Sequence, residues 1–243
     1  MIGLVLAAGP GRRLHPLTTS LPKTLLPLND GRTILDLALG NLRSVGLDEA
    51  VIVTGFAAQR VEERVAELER RFGLRLRLVD NQHAEEWNNA YSLWLAREAF
   101  PEGVLLLNGD TVHPSSVEAA LVQARGPDVL LAIDTEKRLG DEEMKTMVSR
   151  DGGLRAIGKH LHPADAEGEY IGVALIEPSA AEGLADALET TWRRDPSLYY
   201  EDGFQEFVDQ GGRVHVLPIG TVDWVEVDDE ADLERARAIE CRY

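Results

Sequence analysis

Cysteine is nearly absent from this chain of 243 residues, since the single Cys241 lies two positions from the end. A disulfide framework and a cysteine-rich metal site are therefore excluded. Long apolar runs are also missing, and nothing approaches the roughly 20 apolar residues that span a bilayer. Gly9, Arg12 and Arg13 interrupt the first apolar run too early for a signal peptide. The sequence therefore predicts a cytoplasmic protein that does not insert into a membrane.

Basic residues are scarce relative to acidic ones, with 25 Lys and Arg against 42 Asp and Glu and a formal net charge of −17. Such an acidic surface repels nucleic acid, so we expect no nucleic-acid partner. A small anionic substrate remains compatible with this charge if a local basic cluster or a bound cation offsets it. The 44% of hydrophobic residues is enough to fill a core. Composition leaves the oligomeric state open.

Short apolar runs alternate with longer segments of helical periodicity in the first half of the chain. Most of the strand-like runs are apolar throughout, as expected of strands that helices cover on both faces. This alternation predicts an α/β protein with a Rossmann-like, doubly wound sheet that is mixed but mostly parallel. The predicted strands are Ile2–Leu6, Ala50–Thr54, Arg75–Val79, Val104–Asn108 and Val129–Ile133, and the predicted helices are Thr33–Val45, Ala57–Phe72, Glu86–Phe100 and Ser115–Ala124.

The pattern changes after Ile133, because residues 134–170 hold many charges and only short strand-like pieces. No linker rich in Pro, Gly or Ser separates the two regions, so we expect a single compact domain with continuous halves at 1–133 and 134–243. Further elements are predicted in the second half, with strands at Tyr170–Ile176, Arg213–Leu217 and Trp224–Val227 and helices at Ala180–Arg193 and Glu230–Ile239.

A glycine-rich loop, residues 7–14, follows the first predicted strand directly. At the carboxyl end of a strand, such a loop lets backbone N–H groups approach a phosphate chain, and ligands of open α/β sheets bind there. Arg13 adds a forked donor that is always charged, and Lys23 adds a second cation. The dinucleotide fingerprint fails because Leu14 replaces its third glycine, and the P-loop fails because Lys23 follows proline. For the loop alone, a glycine-rich turn with surface arginines is the alternative.

The longer run reads LAAGPGRRLHPLT over residues 6–18 and PKTLLPL over residues 22–28. It resembles the signature of the nucleotidyltransferase family that includes sugar-phosphate nucleotidylyltransferases and phosphocholine cytidylyltransferases. The resemblance implies a GT-A-like nucleotidyltransferase fold in which catalytic Arg13 and Lys23 grip a triphosphate. Arg12 has a supporting part, because sugar enzymes often carry Thr there. The residues implied to line the nucleotide are Leu6, Ala7, Ala8, Gly9 and Gly11.

Asp110 follows the apolar strand Val104–Asn108 and should face the same crevice as the glycine-rich loop. Mg²⁺ prefers carboxylate oxygens together with substrate phosphates. A lone Asp after a strand is commonly a cap or turn residue, but the resemblance implies a catalytic, metal-binding Asp here. The strand around Trp224 also resembles the closing strand of the family, which implies Glu226 or Asp228 as a further metal ligand. A helix cap is the alternative for Asp228.

The run Asn88-Asn89-Ala90-Tyr91-Ser92 resembles the choline- and inositol-phosphate cytidylyltransferase branch rather than the sugar enzymes. Asn88 and Asn89 are either plain helix-capping residues or partners of a pyrimidine edge, since an Asn amide both donates and accepts hydrogen bonds. The resemblance therefore implies CTP as the nucleotide, with Asn88, Asn89 and Ala90 against its base.

The second half gives weaker signals, which concern the acceptor. Lys145 and Lys159 offer cations for an acceptor phosphate, and Tyr200 and Trp224 offer aromatic faces that suit a quaternary ammonium. For the aromatic residues, core packing is the alternative. The expected function is Mg²⁺-dependent transfer of CMP from CTP to a small phosphate or phosphonate acceptor, such as phosphocholine, with release of pyrophosphate. Residues 1–133 would then bind the nucleotide and residues 134–243 the acceptor.

Two other functions stay open. One is a sugar-1-phosphate nucleotidylyltransferase that uses UTP or dTTP. The other is a regulatory, nucleotide-binding subunit without turnover, although such subunits typically lose residues that this chain retains as Arg13, Lys23 and Asp110. A glycosyltransferase of similar fold usually shows an Asp-x-Asp motif, and Asn108-Gly109-Asp110 is not one.

Overall fold

The protein is described here by a computed structural model that covers residues 1–240, so Cys241 lies outside the described residues. The strands are β1 (Ile2–Leu6), β2 (Glu49–Thr54), β3 (Arg75–Asp80), β4 (Val104–Asn108), β5 (Thr111–Val112), β6 (Val129–Asp134), β7 (Lys145–Val148), β8 (Leu154–Gly158), β9 (Gly168–Ile176), β10 (Val214–Pro218) and β11 (Val225–Glu226). The α-helices are α1 (Ile34–Ser44), α2 (Ala58–Glu62), α3 (Val65–Phe72), α4 (Asn89–Leu95), α5 (Ser116–Gln123), α6 (Ala181–Arg194), α7 (Tyr200–Asp209) and α8 (Glu230–Glu240).

A central sheet has the strand order β10-β6-β9-β4-β1-β2-β3, and the β7–β8 hairpin extends it from β9. Strands β3, β2, β1 and β4 are parallel, and β10 is parallel to β6. Strand β9 lies antiparallel between β4 and β6. The sheet is therefore mixed and mostly parallel within one compact domain, as the sequence predicts.

Helices cover both faces of this sheet, because alternate side chains of each central strand enter opposite apolar layers. Leu4 of β1 packs in one layer with Leu93 and Phe100, whereas its neighbour Val5 packs in the other with Leu39. The faces of the central strands are therefore apolar. Polar side chains lie in the loops at the carboxyl edge of the sheet. Within residues 1–240, no helix is both long and apolar enough to cross a membrane.

The predicted helices differ from the structure mainly at their ends. The segment predicted as one helix over Ala57–Phe72 is divided into α2 and α3. The helix predicted over Glu86–Phe100 begins only at Asn89, since the side chain of Asn88 caps it by accepting from the Asn89 N–H. Helix α7 was not predicted, and its first residue is Tyr200, one of the predicted acceptor residues.

Candidate active site

A first cavity of about 490 Å³ lies at the carboxyl ends of β1 and β4, between the glycine-rich loop and residues 84–89. Gly11 holds the loop in a left-handed turn with φ of 59°, and Thr18 Oγ1 donates to its carbonyl oxygen at 2.8 Å. This turn exposes the backbone of the loop to the cavity. The predicted residues that line the first cavity are Leu6, Ala7, Ala8, Gly9, Gly11, Arg12, Arg13, Lys23, Asn88, Asn89, Asp110 and Asp228.

Gly109 fixes the position of Asp110 beside the loop. Its N–H donates to the Leu6 carbonyl oxygen at 2.8 Å, and a Cβ at this position would lie only 2.5 Å from that oxygen. Any side chain would therefore push the 108–110 turn away from β1. The glycine between Asn108 and Asp110 therefore has a packing reason.

Charges of both signs meet at the inner end of the first cavity. The Lys23 Nζ atom lies 2.9 Å from Asp110 Oδ2 and 2.8 Å from Asp228 Oδ1, and Arg13 Nη2 lies 2.6 Å from Asp228 Oδ2. Burial alone would lower the pKa of Lys23, but the two carboxylates outweigh it and hold that pKa above its ordinary value. Likewise, burial would raise the pKa of Asp228, but Lys23 and Arg13 hold it low. Lys23 and Asp228 are therefore both charged at neutral pH.

Glu226 is the third carboxylate at this place, and the short antiparallel ribbon of β5 and β11 brings it there. Thr111 pairs with Glu226, and the Val227 N–H donates to the Asp110 carbonyl oxygen at 2.9 Å. Glu226 is reached by water although protein surrounds much of its carboxylate. That partial desolvation, together with the charges of Asp110 and Asp228, raises the pKa of Glu226 to about 7.

The three carboxylates fit a divalent cation. One oxygen from each of Asp110, Glu226 and Asp228 lies within 4.8 Å of the others. The donors are all carboxylate oxygens, the type that Mg²⁺ prefers. Their mutual repulsion, seen in the pKa of Glu226, is what a cation relieves, and the Lys23 ammonium already bridges two of them. The residues present therefore fit Mg²⁺.

Both asparagines at the start of α4 line the first cavity, and both also make structural hydrogen bonds. Asn88 caps the helix and donates through Nδ2 to the Ser197 carbonyl oxygen at 2.9 Å. Asn89 Oδ1 accepts from the Tyr200 N–H at 2.9 Å. Asn88 is therefore a helix-capping residue, one of the two roles that the sequence left open. Ala90, the third residue predicted against the base, is buried and lies outside the lining of the cavity.

Arg12 connects the two walls of the first cavity. Its Nη2 atom donates to the Glu85 carbonyl oxygen at 3.0 Å, from the glycine-rich loop to the segment before α4. This contact places Arg12 at the rim of the cavity.

A second cavity of about 370 Å³ opens on the other side of Arg13 and Asp228, which line both cavities. Trp224 and Lys159, two of the predicted acceptor residues, line it. Its wall also includes Glu226, so the carboxylates Glu226 and Asp228 stand where the two cavities meet.

The other two predicted acceptor residues do not reach the second cavity. Lys145 is fully buried, and its ammonium is held by the carbonyl oxygens of Gly140, Asp141 and Glu143 at 2.9, 3.2 and 3.0 Å. Tyr200 is also fully buried, and its hydroxyl lies 2.9 Å from Asn108 Oδ1 and 3.1 Å from the Tyr170 hydroxyl. Each has its polar group satisfied inside the protein, which corrects their assignment as acceptor contacts.

Asp134 and Lys137 line the second cavity, and the sequence reasoning missed both. Asp134 ends β6 at the carboxyl edge of the sheet, so the argument that selected Asp110 would have selected it as well. Its Oδ2 atom accepts from the Trp224 indole N–H at 2.7 Å and so fixes the aromatic ring. No comparable signal marks Lys137, which lies in the loop after β6.

A glycine-rich loop, a basic pair and three carboxylates thus meet at one edge of the central sheet. The model of the MobA-like NTP transferase domain matches residues 3–197. The chain therefore belongs to the MobA-like NTP transferase domain family, which confirms the class that the sequence predicted.

Two curated relatives cover nearly the whole chain. The CMP-5'-(3-aminopropyl)phosphonate synthase of Streptomyces rubellomurinus is 31% identical over 242 residues, 96% of this chain and 38% of that protein. The bifunctional IPC transferase and DIPP synthase of Aquifex aeolicus is 26% identical over 238 residues, 96% of this chain and 50% of that protein. The chain thus spans half or less of the length of these relatives.

The fold also matches a solved structure, the inositol-1-phosphate CTP transferase from T. maritima. It superposes with a TM-score of 0.81 over 98% of this chain and 96% of that chain, at 22% identity. At this identity the match concerns the fold alone.

Proposed function

We propose that this chain transfers CMP from CTP to a small phosphate or phosphonate acceptor and releases pyrophosphate, with Mg²⁺ as cofactor. The observation that carries the proposal is the shared wall of the two cavities, where Arg13, Glu226 and Asp228 meet Lys23 and Asp110. A nucleotide in the first cavity and an anionic acceptor in the second would bring their reacting atoms to this wall. The relative from Streptomyces rubellomurinus, a CMP-5'-(3-aminopropyl)phosphonate synthase, supports the CMP group and the phosphonate acceptor.

The two halves of the chain contribute unequally to the cavities, which supports the division at residue 133. Most of the lining of the first cavity comes from residues before 133, with Ser197 and Asp228 as exceptions. The second cavity is lined by residues from 134 onward, with Arg13 as the exception. We therefore assign nucleotide binding to residues 1–133 and acceptor binding to residues 134–243.

The chemistry needs little from the protein beyond position and charge. An oxygen of the acceptor phosphate or phosphonate attacks the α-phosphorus, the bond to the β-phosphate oxygen breaks, and pyrophosphate leaves with that electron pair. The nucleophile is already an anion, so neither a general base nor a covalent intermediate is required. Arg13 and Lys23 bind the triphosphate and stabilise the charge on the leaving pyrophosphate. Asp110, Glu226 and Asp228 would hold Mg²⁺, which supplies charge neutralisation.

The experiment is pyrophosphate release with CTP, UTP, dTTP, ATP or GTP, each combined with phosphocholine, 2-aminoethylphosphonate, inositol 1-phosphate or glucose 1-phosphate. Phosphorus NMR would identify the product by its new P–O–P linkage. We expect release only with CTP, a small acceptor and Mg²⁺, and none in excess EDTA. Release with UTP or dTTP and glucose 1-phosphate alone would assign the sugar branch. CTP binding by calorimetry without turnover on any acceptor would support the regulatory alternative.

A further inference from the structure

An ammonium group already lies in the second cavity, and it belongs to Lys137. Its Nζ atom is 2.7 Å from Glu169 Oε2, 3.4 Å from Glu143 Oε1 and 5.3 Å from the centre of the Trp224 ring. Two carboxylates and an aromatic face around one cation form a recognition site for an ammonium ion. We call Asp134, Glu143, Glu169 and Trp224 the cation cage.

The cage is built on paired strands and not on loose surface side chains. Asp134 of β6 and Glu169 of β9 lie opposite each other across the antiparallel ladder. Asp134 Oδ1 accepts the N–H groups of Glu136 and Lys137 at 2.8 and 3.1 Å, and its Oδ2 holds the Trp224 indole. Glu143 Oε2 accepts the Gly140 N–H at 2.8 Å. These bonds fix the carboxylates before any ligand arrives.

Lys137 does not fully neutralise the carboxylates of the cage. Glu169 is 5% exposed, and the Lys137 ammonium is the ion-pair partner of its Oε2 atom at 2.7 Å. Burial raises the pKa of Glu169, and Glu143 and Asp134 add repulsion that Lys137 does not fully offset. Two carboxylates thus contact one ammonium, and Asp134 adds a third negative charge opposite Glu169, so the negative charge of the cage exceeds that of its cation.

Lys137 enters the cage from the protein surface. Its side chain is 40% exposed and lies in the loop after β6, so it can turn to solvent when another cation takes its place. Lys159, the other lysine of the second cavity, differs from it. The Lys159 ammonium pairs with exposed Glu142 at 3.7 Å and is not part of the cage.

We infer that the acceptor carries a primary ammonium group at the end away from its phosphate or phosphonate, and that this group replaces the Lys137 ammonium in the cation cage. The inference rests on the proposed function, because it concerns the acceptor of the same site. A primary ammonium donates three hydrogen bonds, and the cage offers the carboxylate oxygens of Glu169 and Glu143, which contact the primary ammonium of Lys137. A quaternary ammonium donates none and is bound by several aromatic faces, whereas Trp224 is the single aromatic residue in the described lining.

The test compares 2-aminoethylphosphonate with ethylphosphonate, which lacks the amine, and with phosphocholine, which carries a quaternary one. We expect kcat/KM for 2-aminoethylphosphonate to exceed both others by about tenfold or more, since a charged group in a partly buried site gains that much from paired acceptors. Glu169→Gln should remove this preference mainly through KM, and Glu143→Gln gives the same readout if the first variant folds poorly. Thermal melting would check the fold of each variant.

Two lysine variants should differ in their effect on KM for the acceptor. Lys137→Met should leave KM for 2-aminoethylphosphonate unchanged or lower it, because a competing internal cation is removed. Lys159→Met, the matched control in the same cavity, should raise KM for 2-aminoethylphosphonate and ethylphosphonate alike. A Lys137→Met variant that loses both phosphonates would overturn the inference, because Lys137 would then bind the anionic end of the acceptor.

Failure of the inference is distinguishable from failure of the proposed function. Equal turnover of ethylphosphonate and 2-aminoethylphosphonate would overturn the inference that the acceptor carries an ammonium group, but it would not contradict the proposed CMP transfer. If no acceptor releases pyrophosphate, the proposed function fails. Calorimetric binding of 2-aminoethylphosphonate to the wild-type chain, compared with ethylphosphonate and with Glu169→Gln, then decides the cage on its own. Tighter binding of the amine that Glu169→Gln abolishes supports the cage, and equal binding overturns it.

Discussion

The first cavity takes most of its lining from two short stretches of chain, residues 6–13 and 84–89, whereas the second collects side chains scattered between residues 134 and 235. Their charges differ as well. The first is lined by four carboxylates and three basic residues, and the second by eight carboxylates and four basic residues. The first cavity therefore suits a polyanion helped by a metal, and the second suits a ligand with a cationic end.

This difference shows how one sheet edge can serve two ligands of different charge. Backbone N–H groups of a loop can receive phosphates whatever side chains lie around them. The second cavity has no such loop in its described lining, so its selectivity depends on side chains that strand pairing brings together. The residues common to both, Arg13 and Asp228, lie where the two ligands would react.

The largest expected effect comes from Asp110→Asn, which should stop turnover with every acceptor because the carboxylates at the junction serve both cavities. We expect kcat to fall by roughly 10²–10³-fold or more, as for loss of one preorganised charged group. The measurement is pyrophosphate release, with circular dichroism to check the fold. Asp165→Asn, at an exposed position far along the chain, is the control. Full activity of the Asp110 variant, or of the wild type in excess EDTA, would contradict the carboxylate site.

Arg13→Ala and Lys23→Met should distinguish the roles of the two cavities, because they should affect KM for the acceptor differently. Each should cost at least about 2 kcal/mol in kcat/KM for CTP, by analogy with the loss of one charge donor. Because Arg13 lines both cavities and Lys23 only the first, Arg13→Ala should also raise KM for the acceptor, and Lys23→Met should not. Initial rates over a grid of both substrate concentrations would give the two KM values. Near-wild-type kcat/KM in both variants would refute the triphosphate contacts.

Base preference tests the first cavity alone. CTP should exceed UTP by about 10² in kcat/KM, since a site that pairs with one polar edge leaves its groups unpaired against another. Competition between labelled CTP and the other nucleotides would measure this ratio. Equal use of CTP and UTP would mean that the asparagines at the start of α4 act only as structural residues.

The last expected effect concerns stability rather than turnover. Glu201 of α7 is buried, and desolvation, with the charge of Glu226, raises its pKa to about 8. Between its unfolded pKa and about pH 8 the folded state alone binds this proton, so stability should decrease as pH rises across that window, by up to about 1.4 kcal/mol per pH unit. Glu201→Gln should flatten this decline in chemical denaturation between pH 5 and 8. The same change at exposed Glu182 of α6 should preserve the slope.

How far the sequence predicts the site follows from the same contrast. The strands β1 and β4, the glycine-rich loop and Asp110 lie in continuous patterns, so their meeting at one sheet edge follows from parallel strand order. The cation cage depends on the register of β6 against β9, which sets Asp134 opposite Glu169 and which no local pattern predicts. Lys145 was predicted to be exposed because it lies in a charged segment of the sequence. In the structure it is buried, and its ammonium donates to three backbone carbonyl oxygens.

The ribbon of β5 and β11 has a consequence for how the protein is made. It joins Thr111 to Glu226 across more than a hundred residues, so the carboxylate triad is complete only after strand β11 has been synthesised. A chain emerging from the ribosome would thus hold its glycine-rich loop and most of its sheet well before its carboxylate triad exists. Chains shortened before strand β11 would lack Glu226 and Asp228 and should consume no nucleotide.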